Sequence, residues 1–506
     1  MLSKKVFLNS ILLGTSSLLF NLGFIFAQNT QINRTNNWYF GGGAGINFNG
    51  GSATAVTDGQ MYVYAGCATM SDTLGNLLMY TDGQTVWNKN HQIMPNGTGL
   101  LGDGTPVQSS IIIPKPLDDN HYYIFTCAGY DGNPNGIRYS IVDMTLNNGL
   151  GDISIKNELL FQPSSEQLGA TMHANCTDVW ITSHELNSNK YRAYLLTSNG
   201  IDTNNVVINE IGNFGIFGQH LKFSPNGKKM AAVNYWDNIN LPNNLDTLEL
   251  FDFNSTSGIL TNLTKLPDTS IVTFEFSHDS KFLYVSNFNT ERANLYIIPG
   301  FEEIFQYDLS SNNGTLIKLS KTLVYEPLST PINNYNTCFC DFQLSPDNKI
   351  YVSSMYDSLS VINYPNLAGV ACNIEELIFS LNGKTSFTKL PNFVSSYFDQ
   401  DSTGCFYSAG AKEINEEQVS IHVYPNPFSF STTIALNFLH DNNDEFEIAL
   451  YDIFGRNIIT HAMIGSTEQF SKESVFTLHK KNLNTGIYFL NIRINHKTYT
   501  QKVIIN

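Results

Sequence analysis

The stretch Phe223-Ser224-Pro225-Asn226-Gly227-Lys228-Lys229 indicates the fold, because its pattern recurs twice more along the chain. The other copies are Phe276-Ser277-His278-Asp279-Ser280-Lys281-Phe282 and Leu344-Ser345-Pro346-Asp347-Asn348-Lys349-Ile350. Proline presets φ for a turn, Asn, Asp and Gly accept turn conformations, and the lysine stays in solvent. A short apolar run follows each copy, so each stretch predicts a turn that leads into a buried strand.

A second pattern is a strand that ends in Asp and is followed six residues later by Gly, and it predicts a β-hairpin. It occurs at Tyr139 to Asp143, at Leu248 to Asp252 and at Ile304 to Asp308, before Gly149, Gly258 and Gly314. Related units occur at Tyr80-Thr81-Asp82-Gly83, Tyr194-Leu195-Leu196 and Val361-Ile362-Asn363. The units recur at a period of roughly 55 residues, and a fixed period of this kind is typical of repeated β-sheet units.

We therefore expect residues 36–400 to form an all-β repeat domain, a β-propeller of seven blades with six or eight as alternatives. A closed ring of WD-like repeats leaves only short, protected sheet edges. The seventh blade would join the two ends of the domain, Trp38 to Phe48 and Phe379 to Phe398. An open solenoid or an array of β-sandwiches remains the alternative, because a count of strands does not establish closure.

The start of the chain predicts export. Lys4 and Lys5 precede an apolar stretch that ends at Ala27, so residues 1–27 are expected to be a cleaved signal peptide rather than a membrane anchor. No later stretch is long and apolar enough for a transmembrane segment in the mature chain. The net charge of −16, from 28 basic and 44 acidic residues, repels phosphate backbones, and no nucleic-acid partner is expected.

The 506 residues predict more than one folded unit, and the seven cysteines leave at least one thiol without an intrachain partner. A bond between Cys338 and Cys340 is geometrically awkward, because both would face the same side of a strand. A bridge from one of them to Cys372 or Cys405 is the expected version. No zinc-ligand spacing accompanies these cysteines.

Residues 401–419 lose the repeat pattern and read as a linker, and residues 420–506 form another unit of short strands. Two prolines in Tyr424-Pro425-Asn426-Pro427 predict an extended edge segment. Beyond Gly486 the chain alternates, with Tyr488, Leu490 and Ile492 on one face, which predicts a half-buried strand. The last residues would pair with it, so the C-terminal unit is expected to be a small antiparallel β-sandwich.

This C-terminal unit resembles the type A sorting domain of type IX secretion cargo proteins. The resemblance is carried by four motifs in order, with candidate sorting residues Tyr424, Pro425, Asn426, Pro427, Asp452, Gly455, Arg456, Gly486, Tyr488 and Lys502. It implies an Ig-like β-sandwich, recognition by the type IX secretion machinery, and export in two steps through the periplasm to the outer-membrane surface or the medium. Residues 36–400 resemble the propeller ectodomains of such cargo, through segments such as Trp38-Tyr39-Phe40-Gly41 and Leu390-Pro391-Asn392-Phe393.

The loop Asp131-Gly132-Asn133-Pro134-Asn135-Gly136 is the candidate metal site. Asp131, Asn133 and Asn135 place oxygen ligands at alternate positions before a glycine, as in a calcium loop, but Val142 stands where the twelfth-position Glu would be. A plain surface loop is the alternative, and no other cofactor is expected.

Two further groups invite a site and are expected to be structural. His173 and His184-Glu185 lack metal-ligand spacing, and their imidazoles are expected to bond backbone or neighbouring side chains. Gly41-Gly42-Gly43-Ala44-Gly45 lacks the Lys-Ser/Thr ending of a phosphate loop and is expected to be a turn or bulge.

No nucleophile elbow or Cys-His protease pattern occurs, so the leading hypothesis is a non-enzymatic binding module for a glycan, an envelope protein or an external surface. An extracellular polysaccharide hydrolase or lyase is the first alternative, because propeller loops could bring distant carboxylates together. A structural adhesin component is the second.

Overall fold

The computed structural model describes residues 31–399 and 420–505, apart from gaps at 128, 130–134, 216, 236–246, 269, 290–300, 327–338, 425, 438–445, 454, 464–472, 481–482 and 495–496. The expected signal peptide, the expected linker, Cys338 and Cys405 lie outside the described residues. The chain divides into two compact units, residues 1–409 and 410–506. Of the described residues, no helix is both apolar enough and long enough to cross a bilayer.

The described part of the first unit contains seven antiparallel sheets. The first three are β1 (Asn37–Phe40), β2 (Ala44–Asn47) and β3 (Thr54–Val56); β4 (Ala68–Ser71), β5 (Leu77–Thr81), β6 (Thr85–Asn88) and β7 (Ile93–Thr98); and β8 (Ser110–Pro114), β9 (His121–Cys127), β10 (Ile137–Asp143) and β11 (Asp152–Phe161). The next two are β12 (Gly169–Met172), β13 (Val179–His184), β14 (Ser188–Thr197) and β15 (Gly200–Gly215); and β16 (Phe217–Phe223), β17 (Lys229–Tyr235), β18 (Thr247–Asn254) and β19 (Ile259–Leu266). The last two are β20 (Ile271–Phe276), β21 (Phe282–Asn289), β22 (Phe301–Asp308) and β23 (Thr322–Tyr325); and β24 (Asp341–Leu344), β25 (Ile350–Ser353), β26 (Ser358–Ile362) and β27 (Ile374–Ser380).

Helical structure is confined to short pieces in the described residues. They are α1 (Gly314–Leu319) and the 3₁₀ turns Ile32–Thr35, Asn147–Gly149, Gly369–Cys372 and Ser395–Phe398. We expected the second strand of the hairpin that follows Asp308 to begin at Gly314, and this is wrong. The Asn313 side chain accepts hydrogen bonds from the backbone N–H groups of Thr315 and Leu316 and thereby caps a helix there.

The recurring turns lie where the sequence predicts them. Residues 224–228 join β16 to β17, residues 277–281 join β20 to β21, and residues 345–349 join β24 to β25. In each turn the serine hydroxyl donates to the Asn or Asp side chain two residues later, for example Ser224 to Asn226 at 2.8 Å. One of the related units differs from the others. Tyr80-Thr81-Asp82-Gly83 leads from the second strand of its sheet, β5, to the third, β6.

Antiparallel order gives the ring two different faces. Connections from first to second and from third to fourth strands share one face, which we call the turn face. Connections from second to third strands, and from the fourth strand to the next sheet, share the opposite loop face. β1 runs against β4, since Asn37 bonds Ser71 at 2.9 Å while the Cys67 thiol lies 3.5 Å from the Tyr39 carbonyl oxygen. The three strands of the first sheet therefore correspond to second, third and fourth strands.

The inner strands of successive sheets pack side by side, and the two ends of the unit meet. The Trp38 ring lies 5.8 Å from that of Tyr351 and 6.0 Å from that of Phe393. The Gly42 backbone N–H donates to the Thr385 carbonyl at 2.8 Å. These contacts close the ring between the first and last sheets, as the sequence predicts, and they exclude an open stack.

Residues 389–399, which we call the axial segment, occupy the place of the missing inner strand. Pro391 forms a parallel bridge with Cys67 at the start of β4, and the Asn392 amide donates to the carbonyl of Leu168 at 2.9 Å. Further along, Ser396 accepts from the Met172 N–H at 2.9 Å near the end of β12. The segment thus crosses the centre of the ring from the loop face to the turn face.

The second unit consists of two sheets in its described residues. They are β28 (Ser420–Tyr424), β29 (Ser431–Asn437) and β32 (Glu473–His479); and β31 (Asn457–Met463), β30 (Phe446–Asp452), β33 (Gly486–Ile494) and β34 (Lys497–Ile505). Ile434 from the first sheet and Leu450, Leu490 and Ile492 from the second belong to one buried cluster. The alternation predicted after Gly486 is present, because Tyr488, Leu490 and Ile492 are buried.

Candidate functional site

Three aromatic side chains form an exposed group on the loop face, which we call the aromatic patch: Tyr62, Tyr64 and Phe387. Tyr62 is 66% exposed and Tyr64 is 55% exposed. The Tyr64 and Phe387 rings stack at 4.2 Å and 24°, and Tyr62 meets Phe387 edge-on at 5.1 Å. Phe387 is half-buried beneath the two exposed tyrosines. Because large aromatic rings are normally buried, we take this group as a candidate interaction surface.

Local sequence explains why these tyrosines face solvent. In the connection between β3 and β4, Met61 and Val63 are buried while Tyr62 and Tyr64 are exposed, which is the alternation of an extended chain. Phe387 comes from the other end of the unit, in the connection that follows β27. It has a positive φ of 50°, an uncommon conformation for a bulky residue and one that is found at functional sites.

The glycine-rich stretch lies beneath the patch, as the turn between β1 and β2. Gly41 has φ of 57°, and a Cβ there would collide with the Thr385 carbonyl oxygen. A Cβ at Gly42 would lie 3.3 Å from the Phe387 ring, and Gly42 also bridges to Tyr62. The expectation of a turn is confirmed, and glycine is needed because the two ends of the domain approach each other here.

A group of ionisable side chains is buried inside the ring, and we call it the buried charge cluster: His220, Lys222, Glu275, Asp341 and Lys389. Lys222 pairs with Glu275 at 2.7 Å, and His220 Nε2 lies 3.3 Å from Asp341 Oδ1. Lys389 of the axial segment donates to the Cys340 carbonyl at 2.6 Å. All five residues are buried.

Burial and mutual pairing determine the charges of this cluster. Burial by itself raises the pKa of Asp341, but Lys222, the His220 hydrogen bond and Lys389 together hold that pKa well below its usual range. Burial, reinforced by Lys389, lowers the pKa of His220 to about 3, so its imidazole is neutral. Burial raises the pKa of Glu275, and Lys222 opposes that rise. The carboxylates are thus held in place by neighbouring lysines, and Asp341 also accepts a hydrogen bond from the Leu390 N–H of the axial segment at 3.0 Å.

Neither the aromatic patch nor the buried charge cluster was predicted from the sequence. Charged residues inside apolar inner strands, such as Lys222 between Leu221 and Phe223, were the available signal for the buried cluster. The alternation of residues 61–64 was the signal for two members of the aromatic patch. Phe387 carries no such signal, because only ring closure brings it beside Tyr64.

Only one of the three candidate calcium ligands lies in the part of the chain that the structure describes. Asp131 and Asn133 lie outside the described residues, and Asn135 lies in the turn before β10. Within the described ranges, no group of three or more His, Cys, Asp or Glu side chains could hold a metal ion. The calcium loop therefore stays a prediction.

The histidines differ from one another. His173 Nε2 lies 3.0 Å from the Thr256 carbonyl oxygen, as expected for a structural imidazole. The same expectation is wrong for His184, whose two ring nitrogens have no hydrogen-bond partner among the described residues. His184 is fully buried, packs edge-on against Tyr191 at 4.7 Å, and has a pKa that burial lowers to about 4. Glu185 pairs with Arg192 at 2.6 Å.

The cysteines exclude one of the expected bridges. Cys176 and Cys340 each take part in a disulfide bond, and the bridge to Cys405 stays a prediction because Cys405 lies outside the described residues. Cys372 is a buried, reduced thiol, so the expected alternative of a bridge to Cys372 is wrong. Its thiol is packed in the core that the first and last sheets share.

The four sorting motifs converge at one end of the sheet β31-β30-β33-β34. Asp452 pairs in register with Tyr488, which pairs with Val503 beside Lys502. The Asn426 side chain donates to the Lys502 carbonyl and accepts from the Ile504 N–H, both at 2.8 Å.

The remaining motif residues complete this end of the sheet. Arg456 Nε pairs with Asp452 at 2.7 Å across a turn at Gly455, whose φ is 77°. Tyr424 ends β28, Pro427 follows Asn426 in an irregular segment, Gly486 begins β33, and Pro425 lies outside the described residues. The assignment of these residues to sorting remains a prediction, and their convergence is a structural fact.

Comparison with known proteins identifies this unit, since residues 422–506 match the family model of the secretion system C-terminal sorting domain. The chain is a type IX secretion cargo protein with a β-propeller ectodomain. This cargo protein is exported to the cell surface or the medium. No curated protein matches the sequence.

Several solved propeller structures are similar to the cargo protein. A putative 6-phosphogluconolactonase from Bacteroides uniformis shares 12% identity, with 70% of this chain and 99% of that chain covered and a TM-score of 0.44. The Dos1 propeller shares 12% identity over 62% of this chain and 70% of that chain, with a TM-score of 0.37. The Cps50 (Swd1) propeller domain of Myceliophteria thermophila shares 9% identity over 64% of this chain and 94% of that chain, with a TM-score of 0.35.

Proposed function

We propose that this cargo protein is an extracellular binding module that holds its ligand on the loop face of the propeller. The observation that carries the proposal is the aromatic patch of Tyr62, Tyr64 and Phe387. Tyrosine offers a large, rigid apolar surface and a hydroxyl group at little cost in conformational entropy, which suits it to recognition. The patch rests on the closed junction between the first and last sheets, so its rings are held by a rigid scaffold.

The path of the chain also supports the loop face as the ligand-binding face. The axial segment enters the ring from the loop face and reaches the turn face at Phe398, whose ring lies 6.2 Å from that of His278 in the turn between β20 and β21. The chain therefore continues from the turn face toward residue 400. The end of the described part of this unit therefore does not cover the aromatic patch.

The buried charge cluster gives no comparable support to a hydrolase or lyase. Glycoside cleavage requires two carboxyl groups that reach the substrate. Glu275 and Asp341 are both buried, Glu275 is paired with Lys222, and Asp341 accepts from the Leu390 N–H of the axial segment, so a sugar chain has no access to them. We therefore assign this cluster a structural role.

The test is a binding assay with the full chain lacking its first 27 residues, on immobilised polysaccharides and isolated bacterial envelopes, with reducing ends measured in parallel. We expect saturable binding without release of reducing ends. Tyr62→Ala combined with Tyr64→Ala should weaken binding at least tenfold, by analogy with aromatic anchors at other interfaces. Tyr364→Ala, which removes a 57% exposed tyrosine from the turn face, is the matched control and should bind normally.

Two outcomes would contradict this function. Steady release of reducing ends by the wild-type chain would establish an enzyme. Equal binding by the double tyrosine variant and the Tyr364→Ala control would show that the aromatic patch on the loop face does not hold the ligand.

A further inference from the structure

A single lysine stands beside the aromatic patch. A Cβ built at Gly43 would lie 3.3 Å from Lys384 Nζ, so the ammonium group rests against the turn that supports Tyr62 and Phe387. The Gly43 N–H donates to the Met61 carbonyl at 2.9 Å, next to Tyr62. The lysine and the rings are therefore attached to the same short turn, which holds them close together.

The charge of Lys384 is not neutralised by its surroundings. Among the described residues, no carboxylate lies within salt-bridge distance of its ammonium group, whereas Lys222, Lys229 and Lys321 each pair with one. The acidic residue of the neighbouring connection, Asp58, is already engaged: the Tyr39 hydroxyl donates to it at 3.0 Å, and His91 Nε2 lies 3.3 Å away. Lys384 thus offers a half-buried, unneutralised cation at the edge of the patch.

We propose that Tyr62, Tyr64, Phe387 and Lys384 form a subsite for an acidic saccharide, a sugar that carries a carboxylate or a sulfate. This inference rests on the binding function proposed above and names the ligand class of the same site. The stacked pair Tyr64 and Phe387 offers a ring face to the apolar C–H face of a pyranose, and the tyrosine hydroxyls reach its hydroxyl groups. Lys384 supplies the charge-assisted contact to the acidic group.

The overall charge of −16 does not oppose this ligand class. At physiological ionic strength the Debye length is about 8 Å, so negative charges elsewhere on the ring are largely screened at the patch. Lys384 is therefore the charge beside the patch that an acidic group of a bound sugar would contact. Repulsion between the net negative chain and an acidic sugar is strongest at low salt. A preference for the acidic sugar that is measured at low salt is therefore the stricter evidence for a contact with Lys384.

The experiment uses the full chain without its first 27 residues and polysaccharides paired by charge. Polygalacturonate is compared with its methyl ester, and carrageenan with desulfated carrageenan, since each pair differs mainly in acidic groups. We expect at least one acidic member to bind about fivefold more tightly than its neutral partner. Lys384→Gln should remove that difference, Lys384→Arg should retain it, and Tyr64→Ala should weaken binding to both members.

The outcomes separate this inference from the proposed function. Equal affinity for acidic and neutral members, or a Lys384→Gln variant that keeps the preference, would overturn the acidic class while a Tyr64-dependent binding module stands. Binding that survives both Tyr62→Ala and Tyr64→Ala would overturn the site and the function together. A further outcome is that inorganic sulfate displaces the polysaccharide more than chloride does at equal ionic strength. That result would overturn the saccharide class, because the site would then bind anions in general.

Discussion

At the scale of single residues, the protein keeps its ionisable groups in two separate environments. Lys222 and Glu275 are withdrawn from water and depend on each other, whereas Lys384 and Asp58 remain near solvent. A buried ion pair does not by itself add stability, but removal of one partner leaves an uncompensated charge in the interior. The buried charge cluster is therefore expected to be sensitive to substitution and insensitive to ligand.

Glu275→Gln is expected to lower the free energy of unfolding by about 3 kcal/mol, because it leaves the Lys222 ammonium buried without its carboxylate. Glu210→Gln is the matched control, since it removes the partner of Lys190 at an exposed site and should cost less than about 1 kcal/mol. Urea unfolding of both variants measures the difference. Equal losses would mean that Lys222 and Glu275 are accessible to water.

His184 predicts a pH dependence of stability. Its pKa falls from an ordinary 6.5 to about 4 on folding, so the unfolded chain binds the proton first as the pH falls. The contribution of the neutral His184 imidazole to the free energy of unfolding is complete above about pH 6.5. It is lost progressively toward pH 4, and the loss is about 2 kcal/mol at pH 5. His184→Gln should flatten the fall in urea midpoint between pH 7 and pH 5 and leave the interval from pH 7 to pH 8 unchanged. An identical slope in the variant would contradict a buried neutral imidazole.

At the scale of elements, local patterns predicted most strands but not the path of the axial segment. The Ser224 turn and its two later copies, and the strand after Gly486, follow from local residue chemistry. The pattern around Gly314 predicts a strand wrongly, because the Asn313 side chain caps a helix that no strand periodicity reveals. The path of the axial segment depends on contacts between ends of the chain that are over 300 residues apart, so local patterns carry no trace of it.

Phe393 tests the axial segment. Its side chain is buried against Trp38, so Phe393→Ala is expected to lower the free energy of unfolding by about 3 to 5 kcal/mol. Phe214→Ala, at a residue that is 51% exposed, is the matched control and should cost about 1 kcal/mol or less. Thermal unfolding followed by tryptophan fluorescence measures both. A small loss at Phe393 would show that the segment is not packed in the ring.

At the scale of the whole molecule, the chain combines a closed ring with a C-terminal sorting domain. Composition, repeats and the four C-terminal motifs were enough to predict both units and the route of export. The site was not predictable in the same way, because Tyr64 and Phe387 become neighbours only when the ring closes. The ligand class follows from Lys384, whose position depends on the glycine turn at the same junction.

The most direct test of the account is the location of the protein in a bacterium with type IX secretion. The full chain is compared with a chain that ends at residue 409, and each is quantified by immunoblot in the periplasm, at the surface and in the medium. We predict that the full chain reaches the surface or the medium, whereas the shortened chain stays in the periplasm as a folded propeller that still binds through Tyr64. Equal amounts of both chains outside the cell would contradict the account.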